Sequence, residues 1–243
     1  MFGIMTKPIG LEAFLDKTFF ALDTLSMLSD IEDFIDFSEG NIDWQKRREL
    51  NRVELACAAD EFDDPHEAAQ YHVQTIDGVR YRFEVCLAQR VRYAALVSLI
   101  TTIEWVLLSL ESRANIKISK KPDGASRAVH ILDQFNRAAL VGLTSEIQTI
   151  ETLVQVRNCI VHAAGLLASY RHGGELRHRL SVRDGIRVSD INFLGDAIEI
   201  EQGYLQGVVE KLKLWLPNLE HTMDAKGLLH KSPPVRKENR PVI

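Results

Sequence analysis

The chain has 243 residues, 46% hydrophobic and 26% charged, with a net charge of −5. That composition allows a substantial buried core, and the negative balance argues against a protein that coats nucleic acid non-specifically. Cys57, Cys86 and Cys159 are odd in number, far apart and without a C-x-x-C pair, which excludes a disulfide framework and a cysteine zinc site and fits a reducing, cytoplasmic setting.

The opening stretch MFGIMTKPIGLEAFLDK lacks a basic flank followed by a clean apolar run and is not read as a signal peptide. From Ile9 to about Phe37, leucine and phenylalanine recur at helical spacing with acidic residues between them, and Ser38-Glu-Gly40 is expected to end that helix. A second helix is expected after Asn41-Ile-Asp43, closing at Asp63-Asp64-Pro65, where Pro65 suits the first turn of another helix. Residues 1–70 hold 16 acidic and 6 basic side chains, which leaves the remainder of the chain at +5. Any anionic ligand should therefore meet the second part of the chain.

After Asp77-Gly78, the pattern from Val79 to Arg113 predicts one long helix. Its apolar middle, residues 94–110, is shorter than a membrane span and carries Glu104, so it reads as a buried core helix. Residues 115–124 read as a loop and 126–140 as a short helix. Thr144-Ser145 should cap a helix that ends at Gly165. Beyond it, residues 175–190 alternate around Asp184-Gly185, a hairpin signal. Residues 196–216 form a last amphipathic helix stopped by Pro217, and the remainder reads as a flexible tail. The resulting division is an acidic helical lobe over 1–75, a helical domain over 76–217 and a tail over 218–243. The fold class is mainly α-helical, with a small β-hairpin after the helix that ends at Gly165.

The chemistry-bearing stretch is VRNCIVHAAG, residues 156–165. In a helix, Asn158 and His162 are four apart and share a face, and a long Arg157 side chain can reach the same region. A guanidinium, an amide and an imidazole around one spot suit a phosphate. Glu104, inside an apolar helix, is a supporting candidate as the partner of a cation such as Arg157. The segment 171–187 holds five Arg against Glu175 and Asp184, and Arg171, Arg177 and Arg179 are the candidate RNA-facing residues. The pair Arg171 and His178 was weaker as a motif, because Gly173-Gly174 makes a rigid helix between them unexpected. His172 and His178 lack a third ligand at a useful spacing, so no metal and no cofactor are assigned.

The R-N-C-I-V-H run resembles the hallmark of the HEPN domains, an Arg, a polar residue and then a His near the end of a helix. The resemblance extends from about Val79 to Leu216. It implies a helical bundle and a metal-independent endoribonuclease acting as a homodimer, in which Arg157, Asn158 and His162 of two chains form one composite site. It also implies a role as a toxin or antiviral defence effector, with RNA as substrate and a regulatory or antitoxin protein as a possible partner, and no membrane. Other members of that family are catalytically inactive modules that bind RNA, a nucleotide or a protein. The chemistry fits the residue types: an imidazole can serve as base or acid, and a guanidinium can hold the phosphorane. A helical interaction protein working through the acidic lobe is the third reading.

Overall fold

The computed structural model describes residues 19–59, 64–140, 142–192 and 195–230. The first ten residues of the helix expected from Ile9, and the end of the expected tail from 231, lie outside the described residues. The protein is mainly helical, with one antiparallel two-stranded hairpin.

Helix α1 (Phe19–Ala59) runs without a break through Gly40, where the sequence predicted a stop. A mid-helix glycine costs only about 1 kcal/mol relative to alanine. Core packing of α1 offsets that cost, and ion pairs on either side of Gly40 tie the helix down: Glu39 accepts from Arg92 Nε at 2.8 Å, and Lys46 Nζ lies 3.2 Å from Glu84. Leu28, Ile31 and Ile35 of α1 enter the common core, so the acidic N-terminal segment packs on the rest of the chain.

Asp64 caps α2 (Pro65–Arg80), accepting from the His66 amide, with Pro65 in the first turn as its fixed φ favours. Asp77-Gly78, expected to precede a helix start, lies inside α2. A wide π-helical turn (Tyr81–Leu87) joins α2 to α3 (Ala88–Arg113). The helical run from Pro65 to Arg113 is the one helix among the described residues long and apolar enough to cross a membrane, but half of its most apolar window is buried inside the protein. In α3, residues from Ala95 through Leu110 supply the centre of the core, with Leu96, Leu99, Ile100, Ile103 and Leu107 fully buried.

Around α3 lie α4 (Arg127–Ala139), capped by Ser126, and α5 (Thr144–Ala163). The residue that caps α5 is Leu143, so Thr144 is its first helical residue rather than its cap. The short α6 (Gly173–Leu180) occupies part of the stretch read as a hairpin strand. Leu176 and Leu180, four apart, face the core, and this helical pair overrides the apparent alternation. The hairpin comes later, with β1 (Ile186–Asn192) against β2 (Gly195–Ile200), Ile186 opposite Ile200 and Val188 opposite Ile198. Asp184-Gly185 precedes β1 instead of forming its turn.

The last helix, α7 (Tyr204–Ala225), starts after the strand that had been read as its first turn, and it continues past Pro217. Leu216, Leu219 and Met223 are fully buried, and their core contacts offset the roughly 3 kcal/mol a helix-interior proline costs. The expected boundaries at 75 and 217 thus fall within helices, and 218–225 is helical rather than tail.

Candidate functional site

The site begins with the end of α5. Ala164 and Gly165 are both left-handed, at φ of 52° and 83°, and the amides of both return to the Cys159 carbonyl. The expected end at Gly165 is thus within two residues of the last helical one. Gly165 is required: a Cβ there would lie 2.5 Å from the Tyr93 hydroxyl. The backbone of β2 packs against Gly165, where the Ile198 amide donates to the Gly165 carbonyl at 3.0 Å, whereas Ala164 is exposed.

Strand β2 is anchored in turn by α3. Gln89 donates to the Ile200 carbonyl at 2.9 Å and accepts from the Ile200 amide at 3.0 Å, so its side chain substitutes for a neighbouring strand. The Tyr93 hydroxyl donates to the Ile198 carbonyl, and burial pushes its phenol up to about 12. Burial likewise pushes the Cys159 thiol, one residue after Asn158, up to about 11, leaving it an apolar packing group rather than a nucleophile.

On this frame Arg157 and Asn158 are half-buried and His162 is exposed. Arg157 Nη2 donates to Glu104 Oε1 at 2.6 Å, and its Nη1 donates to Asn158 Oδ1 at 2.9 Å. Glu104 is therefore the partner of Arg157. Glu151, Gln155, Asn158 and His162 follow one another at helical spacing along one face of α5, and all line a cavity of about 490 Å³. Glu104 lines it too, whereas Arg157, bonded to both Glu104 and Asn158, does not. The buried amide oxygen of Gln155 has no hydrogen-bond partner among the described residues.

The opposite wall comes from residues that sequence reasoning did not select. Tyr170 and His172 line the same cavity, with their ring centroids 5.8 Å apart in an edge-on arrangement. Burial holds the Tyr170 phenol above its usual range, and the Asn158 side chain, lining the same cavity, works against that shift. The only sequence signal for this wall is Gly173: a Cβ there would lie 2.0 Å from the Leu167 carbonyl oxygen, so the turn carrying His172 is pressed onto the backbone that follows α5. Gly173-Gly174, read as flexible, in fact open α6.

The arginines expected to face RNA divide. Arg177 pairs with Asp196. Arg179 bridges Glu151 and Glu175, each at 3.0 Å, and pins α6 to α5. Arg171 is exposed and makes no ion pair among the described residues. His130 is half-buried, its Nε2 2.9 Å from the Ser119 carbonyl oxygen. Among the described residues no three His, Cys, Asp or Glu gather as a metal site. No family model, curated protein or solved structure matches this chain.

Proposed function

We propose that the protein is a metal-independent endoribonuclease of HEPN type that acts as a homodimer, with Arg157, Asn158 and His162 at its centre. One observation carries this reading. The arginine and asparagine of the motif are bonded to each other and fixed by Glu104, and Asn158 and the exposed His162 imidazole line a cavity large enough for a ribose and its phosphate. Glu104 and Asn158 accept from two of the five N–H donors of the Arg157 guanidinium, so Arg157, which does not itself line the cavity, acts there by orienting Asn158, which does. His162 serves proton transfer, worth about 10²–10⁴-fold.

The surface near the ion pair supports a dimer. Leu108 and Val161 lie one helical turn beyond Glu104 and Arg157, and with Trp105 they leave large apolar side chains 45–53% exposed. A second copy covering them would bring two sites together. Roles as a toxin or defence effector, regulation by a partner protein and a cytoplasmic location belong to the same proposal.

A second reading, a catalytically inactive module that binds RNA, a nucleotide or a protein, is favoured by the pairing of Arg177 and Arg179 with carboxylates. The deciding experiment is cleavage of a mixed RNA pool in EDTA by wild type and His162→Ala. Cleavage by the wild type alone, leaving 2′,3′-cyclic phosphate ends, supports the nuclease. Failure of both folded proteins to cut, with affinity lost in Arg157→Ala, supports the binding module.

A further inference from the structure

The nuclease reading leaves one chemical requirement open. Transesterification of RNA needs a base for the 2′-hydroxyl and an acid for the 5′-oxygen, and one His162 ring cannot be both in a single step. The sequence motif supplies a second ring only from a second chain.

The structure offers another source. His172 lines the same cavity as His162, together with Asn158 and Tyr170. Its surroundings are ordered by contacts that do not depend on a ligand: the Tyr170 ring edge, the Gly173 amide donating to the Tyr170 carbonyl at 2.9 Å, and the close approach of Gly173 to Leu167. Asn158 is fixed by Arg157 and shares the cavity lining with Tyr170, so the held part of α5 and the Tyr170–His172 pair border one space. Both imidazoles are exposed, as groups that exchange protons with a substrate must be. The cationic and anionic side chains facing them are Arg127, Glu104, Glu151 and Glu175; Glu104 is held by Arg157, Glu151 and Glu175 by Arg179, and Arg127 by Glu111, so the carboxylates do not sequester either ring.

We propose that His172 is the second imidazole of the catalytic site, and that His162 and His172 of the same protomer form its acid–base pair. This rests on the nuclease reading. One ring removes the 2′-hydroxyl proton as the 2′-oxygen bonds to phosphorus. The other gives its proton to the 5′-oxygen as the P–O5′ bond breaks. The products are a 2′,3′-cyclic phosphate and a 5′-hydroxyl end, and the two rings finish with their protonation states exchanged. No metal, oxidant or reductant enters the balance. A dimer then carries two complete acid–base pairs.

The test uses the full chain in EDTA, with wild type, His162→Ala, His172→Ala and His172→Gln, all checked for folding by circular dichroism. Each His variant should cut RNA about 10²–10⁴-fold more slowly than wild type. Against uridine 3′-(4-nitrophenyl phosphate), whose leaving group departs without a proton, the variant lacking the acid should recover to within about tenfold of wild type while the other stays slow. Co-refolding His162→Ala with His172→Ala should restore nothing, because neither chain has both rings. Wild-type cleavage with His172→Ala equally fast overturns the role of His172 and leaves the nuclease reading intact. Loss in both variants without recovery of either on the nitrophenyl ester reduces His172 to a structural role. Restoration to about a quarter of wild type on mixing, the statistical yield of heterodimer sites, puts the two rings in different protomers and overturns the pairing. Absence of RNA cleavage by the folded wild type overturns both proposals together.

Discussion

Glu104 Oε1 accepts a hydrogen bond from Arg157 Nη2 at 2.6 Å, across 53 residues of sequence and between the two helices at the centre of the protein. Both side chains are less than a third exposed. The pair therefore holds the motif arginine in one orientation before any ligand arrives. A double-mutant cycle of Glu104→Ala and Arg157→Ala in urea should give a coupling energy of about 1–2 kcal/mol, between the values for exposed and buried pairs. Additive single effects would show that the contact does not persist in solution.

Gly173 and Gly174 are adjacent but should respond oppositely to alanine. A Cβ at Gly173 meets the Leu167 carbonyl oxygen at 2.0 Å, whereas one at Gly174 meets nothing within 4 Å. Gly173→Ala should destabilise by about 2–4 kcal/mol through forced backbone movement, lowering Tm by about 2–4 °C for each kcal/mol. Gly174→Ala should leave Tm unchanged or raise it slightly, since alanine is the better helix former. Calorimetry of the two variants decides the matter.

Stability should fall in alkali before the ordinary tyrosine range is passed. The half-buried Tyr93 phenol is pushed from 10.0 up to about 12, and the buried Cys159 thiol from 9.0 up to about 11. Each group holds its proton in the folded state over a range where the unfolded chain has released it. The unfolded state therefore binds fewer protons, and the free energy of unfolding decreases as pH rises from about 9 to about 12. Each group accounts for a loss on the order of 2 kcal/mol. Tyr93→Phe should flatten the upper part of that decline, at a cost of about 1 kcal/mol near neutrality for the lost bond to Ile198. Urea midpoints measured across this range test both effects.

A charge on the apolar surface beside the ion pair should disrupt the proposed dimer without unfolding the chain. Leu108 is 46% and Val161 53% exposed, so glutamate at either position is solvated in the monomer and costs within about 0.5 kcal/mol. Sedimentation should show Leu108→Glu together with Val161→Glu to be monomeric, with Tm near that of wild type. Cleavage should persist in this monomer if each chain holds its own acid–base pair. A wild type that is itself monomeric would overturn the proposed dimer, and a dimer unchanged by the two substitutions would remove this surface from it.

The sequence alone determined the mainly helical class, the helix start at Pro65, the left-handed end of α5 at Gly165, and the common face of Asn158 and His162. Each depends on residues within one or two turns of one another, where backbone sterics and the 3.6-residue period decide the outcome. Local signals failed where distant contacts outweighed them. Gly40 and Pro217 sit inside helices because α1 and α7 pack in a core shared with α3. The hairpin lies beyond Asp184-Gly185, because Leu176 and Leu180 are buried as a helical pair, and Gln89 and Tyr93 hold the edge of β2.

The same division runs through the candidate site. Arg157, Asn158 and His162 were legible as a motif because they are neighbours on one helix. Glu104 was legible as a charge in an apolar run, but whether it met Arg157 depended on how α3 and α5 cross. Tyr170 and His172 carried no local signal, since a loop residue has no face until its backbone is fixed. Only the tertiary structure, by pressing Gly173 against the Leu167 carbonyl, turned that loop into the second wall of the cavity.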